Sequence, residues 1–159
     1  DNVSDGTDTG LRMKSTNFMG GGARNVVFRD SAMRNTVKQA FIFTLDYNDP
    51  NAKLDYKKST IAGQFRDVRV SDVTVENAQL AAIEVKGDSL HGAYHQGLAF
   101  ERVRFSGPAK VKIDGLQGSR FEAVHFSEAG TGNPWTFQKP EAAAARPARN
   151  PLAKHAVSR

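Results

Sequence analysis

The sequence has 159 residues, a length typical of one domain, and a net charge of +5 at pH 7. Residues 139–159 carry +4 of this charge, so the remainder is nearly neutral and favours neither a nucleic acid nor a membrane as partner. The lack of cysteine excludes disulfides, thiolate metal sites and a cysteine nucleophile. No apolar run approaches the roughly 20 residues of a membrane span.

Short strands recur along the chain, each with apolar residues at alternate positions around a polar pair. Four strands share this pattern, and shorter apolar strands lie between them: 25–33, 41–45, 67–75, 82–85, 97–105, 110–113 and 118–126. Alternation with a period of two, rich in Val and Phe, indicates half-buried β-strands. Turn residues recur between the strands, and no helical apolar stripe persists over three turns, so we expect an all-β domain.

The spacing of the four matched strands indicates a solenoid. Phe28, Val70, Phe100 and Phe121 occupy equivalent positions, separated by 42, 30 and 21 residues. A unit of about 21 residues, with one coil skipped in the first interval and one lengthened by a loop, predicts stacked parallel coils rather than a sandwich. Residues 48–64 are predicted to form an inserted surface loop.

The strand pattern ends after Phe126, where the composition changes. We expect residues 1–130 to form the coils of one domain and residues 131–159 to form an irregular tail, because the tail is rich in Ala, Pro and Arg. Pro147 and Pro151 would limit any helix that begins in this tail.

Side chains able to do acid–base or metal chemistry are dispersed. His91 and His95 are four residues apart but lack the context of a helical zinc motif, so we expect a surface turn. His125 alternates with apolar neighbours and is predicted to face outward. Four aspartates near Gly, Asn or Pro are predicted to form turns rather than a catalytic pair: Asp5, Asp8, Asp46 and Asp49.

Three motifs in sequence carry a family resemblance: Gly10-Leu-Arg-Met-Lys-Ser15, Gly20-Gly-Gly-Ala-Arg-Asn-Val-Val-Phe-Arg-Asp30 and Gln39-Ala-Phe-Ile-Phe-Thr-Leu-Asp-Tyr47. Their order and spacing resemble the C-terminal part of glycoside hydrolase family 28, the polygalacturonases, and in particular its bacterial exopolygalacturonase branch. The resemblance covers about residues 1 to 127. It implies an incomplete right-handed parallel β-helix, from a parent enzyme that cleaves the α-1,4 bonds of polygalacturonate by exo action with inversion.

The resemblance assigns three residues to substrate binding. Arg12 and Lys14 match a family motif whose basic residues bind a galacturonate carboxylate near the scissile bond, and Tyr47 matches a tyrosine that contacts a sugar on the leaving-group side. Physical reasoning agrees for the basic pair, because residues two apart on a strand project from the same face. Arg would bind a carboxylate as a planar fork and Lys as a point charge.

The resemblance also says what is missing. The family's carboxylate and histidine motifs precede the motif around Arg12 and Lys14, and none is found here, so we predict no catalytic residue in this chain. The chain alone is therefore expected to be inactive. The resemblance further implies no cofactor or metal, polygalacturonate or oligogalacturonide as substrate, a monomer, and a secreted or periplasmic protein whose signal peptide lies outside this sequence.

Two alternatives remain open. A polysaccharide lyase of the same fold would use an Arg base and Ca²⁺, for which acidic ligands should cluster along one sheet, whereas the acids here are dispersed. A non-enzymatic β-helix, serving as a carbohydrate-binding or adhesin module, would need no catalytic carboxylates.

Overall fold

A computed structural model of the chain describes residues 2–16, 20–47, 61–107 and 110–127, together with the backbone of residues 135–137. These ranges contain thirteen β-strands and one turn of 3-10 helix. Within them, no helix is long and apolar enough to cross a membrane.

The strands are numbered in chain order. Their bounds are β1 Asn2–Asp5, β2 Leu11–Lys14, β3 Gly22–Arg34, β4 Gln39–Thr44, β5 Gln64–Glu76, β6 Ala81–Lys86, β7 His95–Gln96, β8 Ala99–Ser106, β9 Val111–Asp114, β10 Leu116–Gln117, β11 Arg120–Glu122, β12 His125–Phe126 and β13 Trp135–Phe137. The 3-10 helix covers Ser89–His91.

Two parallel sheets form the walls of the molecule. Sheet A contains β1, β3, β5, β7, β8, β10, β11 and β12, and sheet B contains β2, β4, β6, β9 and β13 in that spatial order. Each coil contributes strands to both sheets, and strands of successive coils pair in parallel. This arrangement is a parallel β-helix and confirms the predicted fold class.

The register confirms the four equivalent positions but corrects the length of the coils. Phe28 pairs directly with Val70, Val70 with Phe100, and Phe100 with Phe121. The interval of 42 residues is therefore one coil, and the prediction of a skipped coil was wrong. That interval includes residues 48–60, which belong to the predicted insertion and lie outside the described residues.

Residues in the left-handed conformation recur at fixed places in successive coils of sheet A. The φ angles there lie between +51° and +86°, a range that Gly, Asn and Asp tolerate better than other residues. The equivalent positions form three ladders: Asn25, Asp67, Gly97 and Gly118; Asp30, Asp72, Arg102 and Ala123; and Gly6, Asn35, Asn77 and Gly107.

Aromatic side chains fill the interior between the two sheets. The ring of Phe41 packs edge-to-face against that of Phe100, with 5.4 Å between centroids. Phe100 stacks on Phe121 and Phe105 stacks on Phe126, one coil apart in each case. Such contacts contribute about 0.5–1.5 kcal/mol beyond the burial of apolar area. The core is thus continuous from coil to coil.

Part of the predicted tail adds to this structure. The strand β13 lies between residues 131 and 159, and its backbone pairs in parallel with β9 over Trp135–Phe137. Sheet B therefore extends past residue 130. The other residues of the predicted tail lie outside the described residues.

Candidate substrate-binding face

The first strand of sheet B presents Arg12 and Lys14 on its outer face. Leu11 and Met13, which alternate with them, are half-buried and pack against the core. Arg12 and Lys14 are both exposed. The alternation of β2 therefore places two cations on one face, as the sequence predicts for residues two apart on a strand.

Tyr47 joins this face through a direct contact with Lys14. The Nζ atom of Lys14 lies 3.9 Å from the centroid of the Tyr47 ring, within the range of a cation–π interaction. Two hydrogen bonds hold Tyr47 beside the residues that follow Lys14. Its backbone N–H donates to the carbonyl of Ser15 at 3.2 Å, and its carbonyl accepts from the hydroxyl of Thr16 at 2.9 Å.

Arg12 faces a carboxylate that the sequence analysis placed in a turn. One guanidinium nitrogen of Arg12 is 3.8 Å from the carboxylate of Asp8, and Lys38 lies closer to the same carboxylate at 3.0 Å. The hydrogen bond from Lys38 is the largest of several effects that hold the pKa of Asp8 below its usual range. Since Asp8 is held mainly by Lys38, the guanidinium of Arg12 keeps donors that can reach a ligand.

The outer face continues in two rows of residues that are in register across sheet B. The first row is Arg12, Ile42, Glu84 and Lys112, and the second is Lys14, Thr44, Lys86 and Asp114. Strands in a sheet are spaced by about 4.8 Å. The two rows therefore extend the face away from Arg12 and Lys14, toward a groove of about 630 Å³ that Asp46, Lys86, Asp88 and Lys112 help to line.

Glu84 is a buried acid on this face, and the sequence patterns did not point to it. Its side chain is 7% exposed and accepts a hydrogen bond from Gln39. The other carboxylate oxygen lies 3.7 Å from the Nζ of Lys86 and 4.0 Å from that of Lys112. Alternation within β6 could have shown that Glu84 and Lys86 share a face, but not that they extend the face of Arg12 and Lys14.

Two known proteins resemble this chain, one in sequence and one in structure. No family model matches the chain. The chain is 40% identical over 139 residues to the exo-poly-alpha-D-galacturonosidase of Dickeya chrysanthemi, an alignment that covers 86% of this chain and 23% of that protein. Its structure superposes on that of the Yersinia enterocolitica family 28 exopolygalacturonase with a TM-score of 0.74 and 42% identity, covering 87% of this chain and 25% of the other.

The chain is similar to family 28 exopolygalacturonases in sequence and in fold. The resemblance stated from three motifs is thereby confirmed over most of the chain. The chain spans about a quarter of the length of these exopolygalacturonases.

Of the three described histidines, two are exposed and one is buried. His91 is exposed in the 3-10 helix, where its Nδ1 lies 2.6 Å from Asp88, and His125 is exposed as predicted. The predicted surface turn is wrong for His95, which is fully buried in β7 and stacks on Phe65. Its Nδ1 accepts the backbone N–H of Phe65, whereas its buried Nε2 has no hydrogen-bond partner among the described residues.

The remaining acids do not form a second site in the described part of the chain. Asp5 accepts a hydrogen bond from Asn35, and Asp46 is exposed beside Tyr47. Asp49, the fourth predicted turn residue, lies outside the described residues. Within the ranges that the structure describes, no group of three or more His, Asp or Glu side chains could hold a metal ion.

Proposed function

We propose that this chain supplies the carboxylate-binding wall of an exo-acting polygalacturonase, an enzyme that hydrolyses the α-1,4 bonds of polygalacturonate with inversion. The observation that carries the proposal is the convergence of Arg12, Lys14 and Tyr47 on one face of sheet B, in a chain that is 40% identical to an exo-poly-alpha-D-galacturonosidase. Polygalacturonate is the proposed ligand, and the parent protein is proposed to be a secreted or periplasmic monomer.

Each of the three side chains has a distinct proposed role. The guanidinium of Arg12 would bind a galacturonate carboxylate as a fork, since Arg and carboxylate match in planar geometry. Lys14 would add a point charge from the same face. Tyr47 would present an apolar ring edge and a hydroxyl to the sugar, because its position is fixed by Ser15 and Thr16.

We assign no catalytic acid or base to this chain. Inverting hydrolysis requires one carboxylic acid beside the leaving oxygen and a second carboxylate that activates water across the ring. Two of the described acids near the face have other partners: Asp8 binds Lys38, and Glu84 binds Gln39. We therefore propose that the chain binds galacturonate but does not hydrolyse it alone, and that no metal or other cofactor takes part.

A binding assay and an activity assay test these two statements separately. The purified chain should bind digalacturonate in a calorimetric titration and should not bind maltose, which lacks carboxylates. The double variant Arg12→Ala/Lys14→Ala should lose about tenfold or more in affinity, because two charge-assisted contacts are removed. The matched control Arg29→Ala/Arg34→Ala removes two exposed cations from sheet A and should bind normally.

Two results would contradict the proposal. Equal affinity of the Arg12→Ala/Lys14→Ala variant and the unmodified chain would show that this face does not bind the carboxylate. Release of reducing sugar from polygalacturonate by the chain alone would show that an acid and a base are present among its own residues.

A further inference from the structure

Most arginines on the outer face of sheet A have a carboxylate partner, and a few do not. Five of these arginines have a carboxylate within 4 Å: Arg29, Arg34, Arg69, Arg102 and Arg120. The pairs include a bidentate contact from Arg102 to Asp72, with both distances at or below 2.7 Å. The fold therefore places acids beside most cations of this sheet.

Arg24, Arg66 and Arg104 are exceptions among the described arginines of sheet A. All three are exposed, and none has an ion pair in the part of the chain that the structure describes. Arg104 lies opposite Thr74 and His125, whereas Arg24 on β3 and Arg66 on β5 pair with each other in register on adjacent strands. Like charges in directly opposed positions destabilise a sheet, and strands lie only about 4.8 Å apart. Such a pair lowers stability locally, and within the described ranges no carboxylate forms an ion pair with either arginine to offset this.

The row that contains these arginines continues with amides. Arg66 pairs with Gln96, and Gln96 pairs with Gln117 one coil further on. The residues that directly precede Arg66, Gln96 and Gln117 are buried: Phe65, His95 and Leu116. Because successive residues of a strand point to opposite faces, the polar residues of this row lie on the outer face. We name this set the Arg–Gln row: Arg24, Arg66, Gln96 and Gln117. It contains hydrogen-bond donors in every coil and no acid.

The Arg–Gln row begins close to the substrate-binding face. A Cβ atom added to Gly63, three residues before Arg66, would lie 3.1 Å from the hydroxyl oxygen of Ser15. Ser15 directly follows Lys14 and accepts the hydrogen bond from Tyr47. The chain three residues before Arg66 therefore lies against the residue that follows Lys14. A ligand longer than a disaccharide could contact both the substrate-binding face and the row.

We propose that the Arg–Gln row is a second binding surface for a carboxylated polysaccharide, which contacts the polymer outside the Arg12 and Lys14 face. The inference rests on the proposed function, since it takes galacturonan as the polymer. Guanidinium groups match carboxylates in geometry, and the amides of Gln96 and Gln117 can donate to sugar hydroxyls or carboxylates. A single-stranded nucleic acid is disfavoured because the row offers no aromatic ring on which bases could stack.

Ligand length separates this surface from the first one. Digalacturonate is too short to reach beyond Arg12, Lys14 and Tyr47, whereas polygalacturonate is not. The variant Arg24→Gln/Arg66→Gln should therefore bind digalacturonate with unchanged affinity and polygalacturonate about five- to tenfold more weakly, as expected for the loss of two exposed charged contacts. Affinity electrophoresis in gels containing polygalacturonate measures the second quantity, and calorimetry measures the first.

Two further variants keep the test independent of folding and of net charge. Gln96→Glu places a carboxylate beside Arg66 without removing an arginine and should also weaken binding to the polymer. Arg29→Gln/Arg34→Gln changes the net charge by the same amount as the arginine double variant, on the same sheet, and should not weaken it. Circular dichroism confirms that each variant is folded.

The outcomes distinguish this inference from the proposed function. If the unmodified chain binds neither ligand, both fail. If it binds both, and Arg24→Gln/Arg66→Gln leaves the polymer affinity unchanged, only the second surface is excluded. If that variant loses affinity equally for polygalacturonate and for a single-stranded DNA of similar charge, the row is a general polyanion patch and the assignment to a polysaccharide is wrong.

Discussion

The Nζ of Lys14 lies 3.9 Å from the ring centroid of Tyr47, although 33 positions separate the two residues in the chain. The contact links the end of β2 to the residues that follow β4, two adjacent strands of sheet B. It directly joins two of the three residues that the family resemblance assigned to substrate binding. Its strength can be measured without any ligand.

A double-mutant cycle should detect this contact in the free energy of unfolding. We expect Lys14→Met and Tyr47→Leu to be coupled by about 0.5–1 kcal/mol, the usual range for an exposed cation–π pair. Urea denaturation of the two single variants and the double variant gives the coupling. Lys86→Met combined with Tyr47→Leu is the control, since Lys86 lies on the other strand beside β4 and makes no cation–π contact with Tyr47 among the described residues, so the two changes should be additive. Additivity of the Lys14 pair would mean that the contact contributes nothing.

Buried His95 should make the stability of the chain depend on pH. Burial lowers the pKa of His95 from 6.5 to about 4, against smaller opposing effects from backbone groups of Lys86 and Phe43. In the unfolded chain His95 takes up a proton near pH 6.5, whereas in the folded chain it does so only near pH 4. Its contribution is therefore complete above pH 6.5 and is lost as the pH falls from 6.5 to about 4, by on the order of 3 kcal/mol.

Chemical denaturation at pH 7, 5.5 and 4.5 tests this expectation. His95→Gln keeps an acceptor for the backbone N–H of Phe65 and should be less stable than the unmodified chain at pH 7, but with a smaller loss on acidification. His125→Gln removes an exposed histidine and should retain the full pH dependence. A parallel pH dependence of His95→Gln and the unmodified chain would show that His95 is not responsible.

Glu101 should be important for the stability of sheet A. It is buried, and it accepts hydrogen bonds from Arg69 at 2.6 Å and from Arg120. The contact from Arg120 is the largest effect that holds the pKa of Glu101 below its usual value, followed by the opposing effect of burial and then by Arg69. The associated stability is present above the unfolded pKa near 4.5 and is lost as the pH falls through the lower folded value.

We expect Glu101→Gln to lower the free energy of unfolding by about 2 kcal/mol at pH 7, a typical value for the loss of hydrogen bonds to a charged group. The control is Glu122→Gln, which removes an exposed carboxylate that faces the same Arg120 at 3.7 Å and should cost far less. Equal effects of the two variants in urea denaturation would argue against a special role for the buried acid.

Two substitutions of Asn35, which lies in one of the left-handed ladders, should lower the stability of the chain by different amounts. Asn35 has a φ of +51°, donates to Asp5 at 2.9 Å and accepts from Asn77 at 3.2 Å. Asn35→Ala should lower the free energy of unfolding by about 1–2 kcal/mol, because alanine is strained in the left-handed conformation and lacks the polar side chain that lets asparagine adopt it. Asn35→Gly keeps the conformation free of strain and should cost less. Thermal denaturation of both variants gives the order, and a less stable glycine variant would contradict the strain argument.

Much of the site could be predicted from local patterns in the sequence, but its contacts could not. Alternation within β2 put Arg12 and Lys14 on one face, and resemblance added Tyr47 without saying that its ring contacts Lys14. Glu84 and the pair of Arg24 and Arg66 were missed, because each gains its meaning from residues on other strands. His95 was misplaced, since an imidazole can be either a wet surface group or a buried acceptor, and only its neighbours decide.

The sequence by itself determined the strand character of the chain, the chemical types that alternate on each strand, and the equivalence of Phe28, Val70, Phe100 and Phe121. These depend on a period of two within single strands, which a local reading captures. Tertiary structure decided how many residues make one coil and which distant residues meet, such as Arg24 with Arg66. Sequence separation cannot distinguish an added coil from an inserted loop. The register of the strands distinguishes them, because hydrogen bonds between parallel strands fix which residues lie opposite each other.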